Sequence, residues 1–409
     1  MKGTTDAPGA LAGLRVIDLT QMLAGPVCTQ VLADHGAEVI KIESLAGDGI
    51  RTSGPFRPDD QLRAFGGYFQ SVNRNKSSIA IDLKQAEGRA LLERLVRDAD
   101  VVVENFRTGV MERLGLGFEQ LRESNPRLVY AAIRGFGDPR SGESPYAHWP
   151  AYDVVAQAMG GIMSITGTAE GGPTKIGPGI GDIVPGLMLG IGILAAVHHA
   201  QRTGRGQFVD VAMADSVLAL CERIVYQQSY EGRTPGPEGN RHPLLCPFGL
   251  FEATDGWVAV ACPDEKLWGQ LARIIGRPEM VDDPRYATNP ARVDHAADVI
   301  AAVEAFTRRH SKAELARQLG GVTPFGPVYT ARDIFDDPHF AKREMLVEVE
   351  HPGCSTPVRI AGVPIKLSET PGGIHRRAPL LGEHTDAVLH GLGLGPEEVA
   401  QLRAQRVVA

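Results

Sequence analysis

The chain has 409 residues, 43% of them hydrophobic and 22% charged, a globular composition with apolar mass for about two or three domains. Its formal net charge of -7 excludes a general electrostatic pull toward nucleic acid or anionic membrane, so an anionic substrate has to be met by local cations. The five cysteines (Cys28, Cys221, Cys246, Cys262 and Cys354) are scattered without a Cys-x-x-Cys pair, which speaks against a disulfide framework or structural zinc and for a reducing compartment.

Taken in chain order, Met1 to Ala12 is polar and lacks the apolar core of a secretion signal, so a cytoplasmic location is expected. Arg15 to Thr20 reads as a buried strand, and Gly25 to His35 as a helix opened by Pro26 and closed by Gly36. Strands are expected at Glu38 to Glu43, Ser78 to Asp82, Val101 to Glu104 and Leu128 to Ile133, with helices at Glu87 to Asp98 and Met111 to Glu123. This alternation predicts an α/β fold, a Rossmann-like parallel sheet in a large domain. The Gly-x-Gly-x-x-Gly of a dinucleotide site is absent after the first strand, where Leu23-Ala-Gly-Pro26 stands instead.

Leu187 to Val197 is an apolar run too short to span a bilayer and reads as a buried helix. Past Val209 the pattern changes to a helix and a Gly/Pro-rich linker, then a hairpin turning on Asp255-Gly256 and helices at Glu265 to Gly276, His295 to Arg309 and Lys312 to Leu319. Extended segments at Leu346 to Glu350 and Val358 to Ile360 precede a closing helix, Pro396 to Gln405. The expected domains are therefore a large domain over 1–216, a linker over 217–240, a smaller α+β domain over 241–335, and a return segment over 336–409 that completes the large domain.

Asp182 stands between the glycine-rich approach Gly177-Pro-Gly-Ile-Gly181 and the apolar helix. The plainer reading is a helix cap. The chemical one is a carboxylate nucleophile, kept ionised by backbone N–H groups and the positive helix end, with small neighbours leaving room for a substrate and an oxyanion. A second set, Lys76, Lys84, Asn105, Phe106, Arg107 and Arg113, includes residues at strand ends, where open α/β sheets bind ligands; its cations suit phosphates. His148, His198, His199 and His242 have no carboxylate at metal spacing, and no Gly-x-Ser-x-Gly occurs, so neither a metal site nor a serine hydrolase is expected.

Several blocks in order carry a resemblance: Asp18-Leu-Thr-Gln-Met-Leu-Ala-Gly-Pro26, Gly36-Ala-Glu-Val-Ile-Lys-Ile-Glu43, Asn75-Lys76 with Ser78 to Lys84, Glu104-Asn-Phe106, Tyr152-Asp153 with Gln157, Gly181-Asp182 and Thr203-Gly-Arg-Gly206. Weaker ones follow at Asp255-Gly256 and Leu381-Gly-Glu-His384. The chain resembles the class III CoA-transferases over nearly its whole length. The resemblance implies that Asp182 attacks an acyl-CoA thioester to give an acyl–aspartyl anhydride, that CoA thiolate converts this to an aspartyl-CoA thioester, and that a free carboxylic acid then takes the CoA. It implies that Leu23 and Ala24 line a CoA channel, that Ile81, Lys84, Asn105, Phe106, Arg107 and Arg113 contact the nucleotide, and that Tyr152 sits near the thioester. It also implies an interlocked homodimer, with no tightly bound cofactor, coenzyme A and acyl-CoA as substrates, and neither nucleic acid nor membrane as partner.

Two departures qualify it. Ser44 falls where formyl-CoA transferase has an arginine beside the nucleotide, and Arg241-His-Pro-Leu-Leu-Cys246 replaces a glycine run over the active site. Arg241 and His242 are thus candidates to meet a larger carboxylate such as a dicarboxylate, or else belong to interdomain structure. An α-methylacyl-CoA racemase is the rival within the fold. It would need a base where Tyr152 stands, and tyrosine, with an unperturbed pKa of about 10, is a poor one. A non-catalytic CoA-binding protein is the other alternative.

Overall fold

The computed structural model describes residues 9–409; the expectation for Met1 to Ala12 lies outside them as far as Pro8. Six strands, β1 (Arg15–Asp18), β2 (Glu38–Glu43), β3 (Ser77–Ala80), β4 (Val101–Glu104), β5 (Val129–Arg134) and β6 (Phe208–Ala212), form one parallel sheet in the order β3-β2-β1-β4-β5-β6. β1, β2, β4 and β5 are short runs with Val or Ile, buried on both faces as a parallel sheet covered by helices requires, while β6 at the edge is mostly half-buried. The fold is therefore α/β, as the alternation implies. β6, Phe-Val-Asp-Val-Ala, is the strand that the sequence pattern did not disclose.

The helices of this part are α1 (Ala24–Asp34), α2 (Gly67–Val72), α3 (Ala86–Arg97), α4 (Val110–Arg113), α5 (Phe118–Ser124), α6 (Asp153–Met159), α7 (Ile180–Thr203) and α8 (Met213–Leu220). One face of the sheet, with Ile17, Ile40, Ile79, Val102 and Tyr130, packs with Leu92 and Leu95 of α3, Leu121 of α5 and Leu389 and Val399 near the C-terminus. α1 and α7 pack on each other and against other strand residues. The single helix expected over 111–123 is two, α4 and α5, because Gly115 takes a left-handed φ of +73° and ends the first.

The apolar run 187–197 is the middle of a 24-residue helix, α7, ended by Gly204 at φ +73°. Among the described residues α7 is the one helix long and apolar enough to cross a membrane. Leu189, Ile193, Ala196 and Ala200 are nevertheless buried, and the helix packs against α1, β5 and β6, as a core helix does. Its other side shows Leu187, Ile191 and Leu194, spaced as one stripe, with Ile191 70% exposed.

The chain divides into two compact units. One comprises 1–162, 175–226 and 338–409, the other 163–174 and 227–337. The stretch 217–240 holds the end of α8 and a further helix, α9 (Glu222–Glu231). The smaller unit is built on an antiparallel sheet in the order β7-β8-β9, from β7 (Phe248–Ala253), β8 (Gly256–Ala261) and β9 (Phe325–Pro327), and packs Phe251, Val258 and Val260 against Trp268, Leu271, Val303 and Leu315.

In the larger unit β10 (Leu346–Val349) and β11 (Val358–Ala361) form a hairpin. The last residues then return to β3: Ile81 bridges Val408, and the Asp82 N–H donates to the Val407 carbonyl at 2.8 Å. The loop from Ile81 to Lys84 is positioned by this return.

Candidate active site

The strand order reverses between β1 and β4, and the crevice this opens at their C-terminal ends is where parallel sheets place ligands. Two adjoining cavities lie there. The first, about 260 Å³, is lined by Gln21 to Ala24, Asn105 to Thr108, Ile133 to Gly135, Ala147 to Tyr152, Asp182 and Met213. The second, about 310 Å³, is lined by Ile81 to Lys84, Ser44, Phe106 and Arg113 among others. Gln21 and Phe106 border both. Asn105 ties the loops after β1 and β4 together: its Oδ1 accepts from the Gln21 N–H at 2.9 Å and its Nδ2 donates to the Gln21 carbonyl at 2.7 Å.

Beneath the loop after β1 lies a buried charge network. Lys76 Nζ donates to Asp18 Oδ2 at 3.0 Å, to the Pro26 carbonyl at 3.0 Å and to Asn73 Oδ1 at 2.9 Å. Lys41 Nζ donates to the Thr20 carbonyl at 2.7 Å and to Asp48 Oδ2 at 3.1 Å. The expectation that Lys76 belongs with the phosphate-binding cations is therefore corrected: it is 1% exposed, and all three ammonium protons have partners. Its work is to neutralise Asp18 under the first cavity. Removing one member of such a pair would strand a buried charge.

Asp182 is in the first turn of α7 and faces the first cavity, with no hydrogen bond to its carboxyl among the described residues. The cap of α7 comes from elsewhere. Asp153, in the first turn of α6, accepts the Gly181 N–H on Oδ1 at 2.8 Å and is held by Gln157 Nε2 at 2.9 and 3.0 Å and by Lys175 Nζ at 3.4 Å. Burial, and then the Asp153 charge, push the Asp182 carboxyl up to about 7. This corrects the expectation of a carboxylate kept ionised by helix N–H groups.

The glycines have a different use too. A Cβ on Gly181 would stand 2.6 Å from the Asp153 carbonyl oxygen and one on Gly186 2.4 Å from that of Ala24, so these glycines let α6 and α1 approach α7. Gly181 also gives its N–H to Asp153, so it is not free for an oxyanion.

Residues 11–385 match the model of the family described as CoA-transferase family III. The chain belongs to that family. It is 49% identical over 390 residues to the succinyl-CoA:mesaconate CoA-transferase of Haloarcula hispanica, spanning 95% of this chain and 97% of that protein. It is 37% identical to the succinyl-CoA–D-citramalate CoA-transferase of Chloroflexus aurantiacus, over 98% of each chain. A crystal structure of a CaiB/BaiF family protein from Brucella suis is similar with a TM-score of 0.83 at 37% identity, over 94% of this chain and all of that one.

A family III CoA-transferase handles CoA thioesters, and the crevice contains groups suited to an anionic nucleotide thioester. Lys84, Arg107 and Arg113 are exposed, and among the described residues their charged groups make no hydrogen bond or ion pair. Lys84 and Arg113 line the second cavity and Arg107 the first. Ile81, 1% exposed, forms apolar wall, as do Leu23, Ala24 and Phe106, and Tyr152, 61% exposed, stands at the mouth of the first cavity with Trp149. Ser44 also lines the second cavity, its hydroxyl donating to the Gly47 carbonyl at 3.3 Å.

Four residues here were not assigned to the site from the sequence. Gln21 is placed by its pairing with Asn105; His148 and Trp149 line the first cavity; and Tyr68 lies in the field of Asp182, its hydroxyl pushed up by burial and then by that charge. The aromatic run before Tyr152 was the available signal for His148 and Trp149. Arg241 is not a free carboxylate receptor: its guanidinium donates to the Leu250 carbonyl at 2.5 Å and to Glu304 at 3.0 Å and lies over Phe251, all within the smaller unit.

Proposed function

We propose that the protein moves CoA from succinyl-CoA to a C5 dicarboxylate of the mesaconate type through covalent intermediates on Asp182. The observation that carries this reading is a desolvated, unbonded carboxyl at one end of a crevice whose other end presents Lys84 and Arg113 without counterions. The similarity to transferases named for succinyl-CoA with mesaconate or D-citramalate supplies the substrate class.

Ionised Asp182 attacks the thioester carbonyl, the C–S bond breaks, and CoA leaves as thiolate, giving an acyl–aspartyl anhydride. The thiolate then attacks the aspartyl carbonyl, expelling succinate and leaving an aspartyl-CoA thioester. The acceptor carboxylate attacks that thioester, releasing the thiolate again and forming a second anhydride. Attack of the thiolate on the acceptor's carbonyl yields the new thioester and restores Asp182. Each step exchanges one activated acyl bond for another, so the activation never passes to water. Poor solvation of the carboxylate makes it a better nucleophile once ionised, and the apolar walls of Leu23, Ala24 and Phe106 exclude water from the anhydride. Ile81 and Phe106 would pack on the nucleotide and its arm, Lys84, Arg107 and Arg113 pair with phosphates, and Asn105 holds Gln21 in place between them.

The stripe of Leu187, Ile191 and Leu194 on α7 supports a homodimer, the interlocked form that the resemblance implies. Racemisation has no such support, since Asp153, beside Tyr152, is engaged by Gly181, Gln157 and Lys175.

Purified protein given succinyl-CoA and mesaconate should release free succinate and a new CoA thioester, and Asp182→Ala should abolish this while binding CoA as tightly as the wild type. Hydroxylamine added during turnover should leave a modification on Asp182, read by mass spectrometry. Full activity in Asp182→Ala, or a label on another residue, rejects the covalent route.

A further inference from the structure

Away from the crevice, and in the same unit, the β10–β11 turn meets the loop before α2. Three side chains of different chemistry converge there: Asp60, His351 and Cys354 each offer one metal-ligating atom, and these atoms lie within 4.8 Å of one another. Asp60 and His351 are buried, at 7% and 8% exposure. We infer that Asp60, His351 and Cys354 form a three-ligand site for a borderline-soft divalent cation of the zinc class, with water as the fourth ligand.

The carboxylate is already oriented for the task. Asp60 Oδ1 accepts the backbone N–H groups of Leu62 at 3.0 Å and Arg63 at 2.8 Å, which turns Oδ2 toward His351. His351 Nε2 lies 3.3 Å from Oδ2, long for a charged hydrogen bond but matching the edge of a tetrahedron whose metal–ligand bonds are about 2.0 Å. The other ring nitrogen, Nδ1, is buried with no hydrogen-bond partner, which leaves Asp60 as the one polar partner of this imidazole among the described residues. Gly353, between the two C-terminal ligands, has φ +90°, and a Cβ there would lie 2.6 Å from Asp60 Oδ1; the turn reaches the loop only because this residue is glycine.

The donor set of one thiolate, one imidazole and one carboxylate suits zinc or cobalt over magnesium or calcium. Binding would take the thiol proton into solvent and leave the site formally neutral, with one carboxylate and one thiolate against the divalent charge. Asp59, held by Arg57 at 2.8 Å and by the Ser355 hydroxyl at 2.9 Å, ties the same two segments together beside the ligands. The cation's role is to clamp the loop before α2 to the β10–β11 turn.

The test uses the whole protein, stripped with a chelator and titrated with Co2+ alone. The expected result is one Co2+ per chain with a thiolate-to-cobalt charge-transfer band, displaced by Zn2+, and a rise in Tm with either metal. Cys354→Ser should abolish that band, and His351→Gln should weaken Co2+ binding at least about 100-fold. Both variants keep Cys28, Cys221, Cys246 and Cys262, which controls for binding elsewhere. Absence of the band in the wild type, its survival in Cys354→Ser, or undiminished binding in His351→Gln would overturn the site. None of these readouts depends on CoA transfer, so failure of the metal site and failure of the transferase reading are separately visible.

Discussion

Asp182 shows how one residue can be legible in type and illegible in state. The blocks on either side marked it in the sequence, but its environment is set by Asp153 on another helix, which takes the helix N–H and adds a like charge nearby. Two pH dependences follow. The rate of acyl transfer should climb about tenfold per pH unit and level off near 7, as the attacking carboxylate ionises. Stability should run the other way: the folded value, about 7, lies above the ordinary 3.8, so the native state is favoured below pH 4 and that advantage is lost as the pH rises through 7. Asp182→Asn should therefore be the more stable protein at pH 8, by about 1–2 kcal/mol once residual solvent is allowed for, with the gain vanishing near pH 4. Thermal melts of the two proteins at both values check this. Lys76 illustrates the opposite failure: its spacing placed it among surface cations, and only the sheet order reveals Asp18 as its partner.

At the scale of elements, the strands β1 to β5 were readable because each lies in a short run containing Val or Ile between helical patterns. β6 was not, since Asp210 interrupts an already short run, and β9 has only three residues. Helix α7 was seen only in its apolar middle; its glycine-rich first turn resembles a loop until packing against α1 and α6 is known. That packing gives the next prediction. Gly186→Ala would drive a methyl group into the Ala24 carbonyl and should destabilise the fold by about 1–3 kcal/mol. Because Ala24 begins α1 and lines the first cavity, KM for the CoA thioester should rise as well. An unchanged melting temperature and KM would refute the packing role of this glycine.

For the whole molecule, the unusual feature is how much apolar surface the chain leaves on α7. A partner chain covering Leu187, Ile191 and Leu194 would resolve it, and Ile191→Glu should then convert a dimer in light scattering to a monomer. A wild-type monomer would reject the assembly. Composition indicated more than one domain and charge excluded bulk polyanion binding, but the path of the chain through its two units was less accessible. Residues 163–174 leave the larger unit for the smaller one, and no local pattern announces that excursion. The cluster of Asp60 with His351 escaped for the same reason, lying 291 residues apart where spacing rules have no reach.

The return of the C-terminal residues to β3 gives the protein a calendar. Gln85 bonds to Arg406, 321 residues further on, and the loop carrying Lys84 is braced by that return. At translation speeds of about 5–20 residues per second, roughly a quarter of a minute to a minute passes between the two leaving the ribosome. During that interval the loop carrying Lys84 lacks the bonds that Arg406, Val407 and Val408 give it in the folded protein. Competence arrives late, as the last strand-like residues emerge.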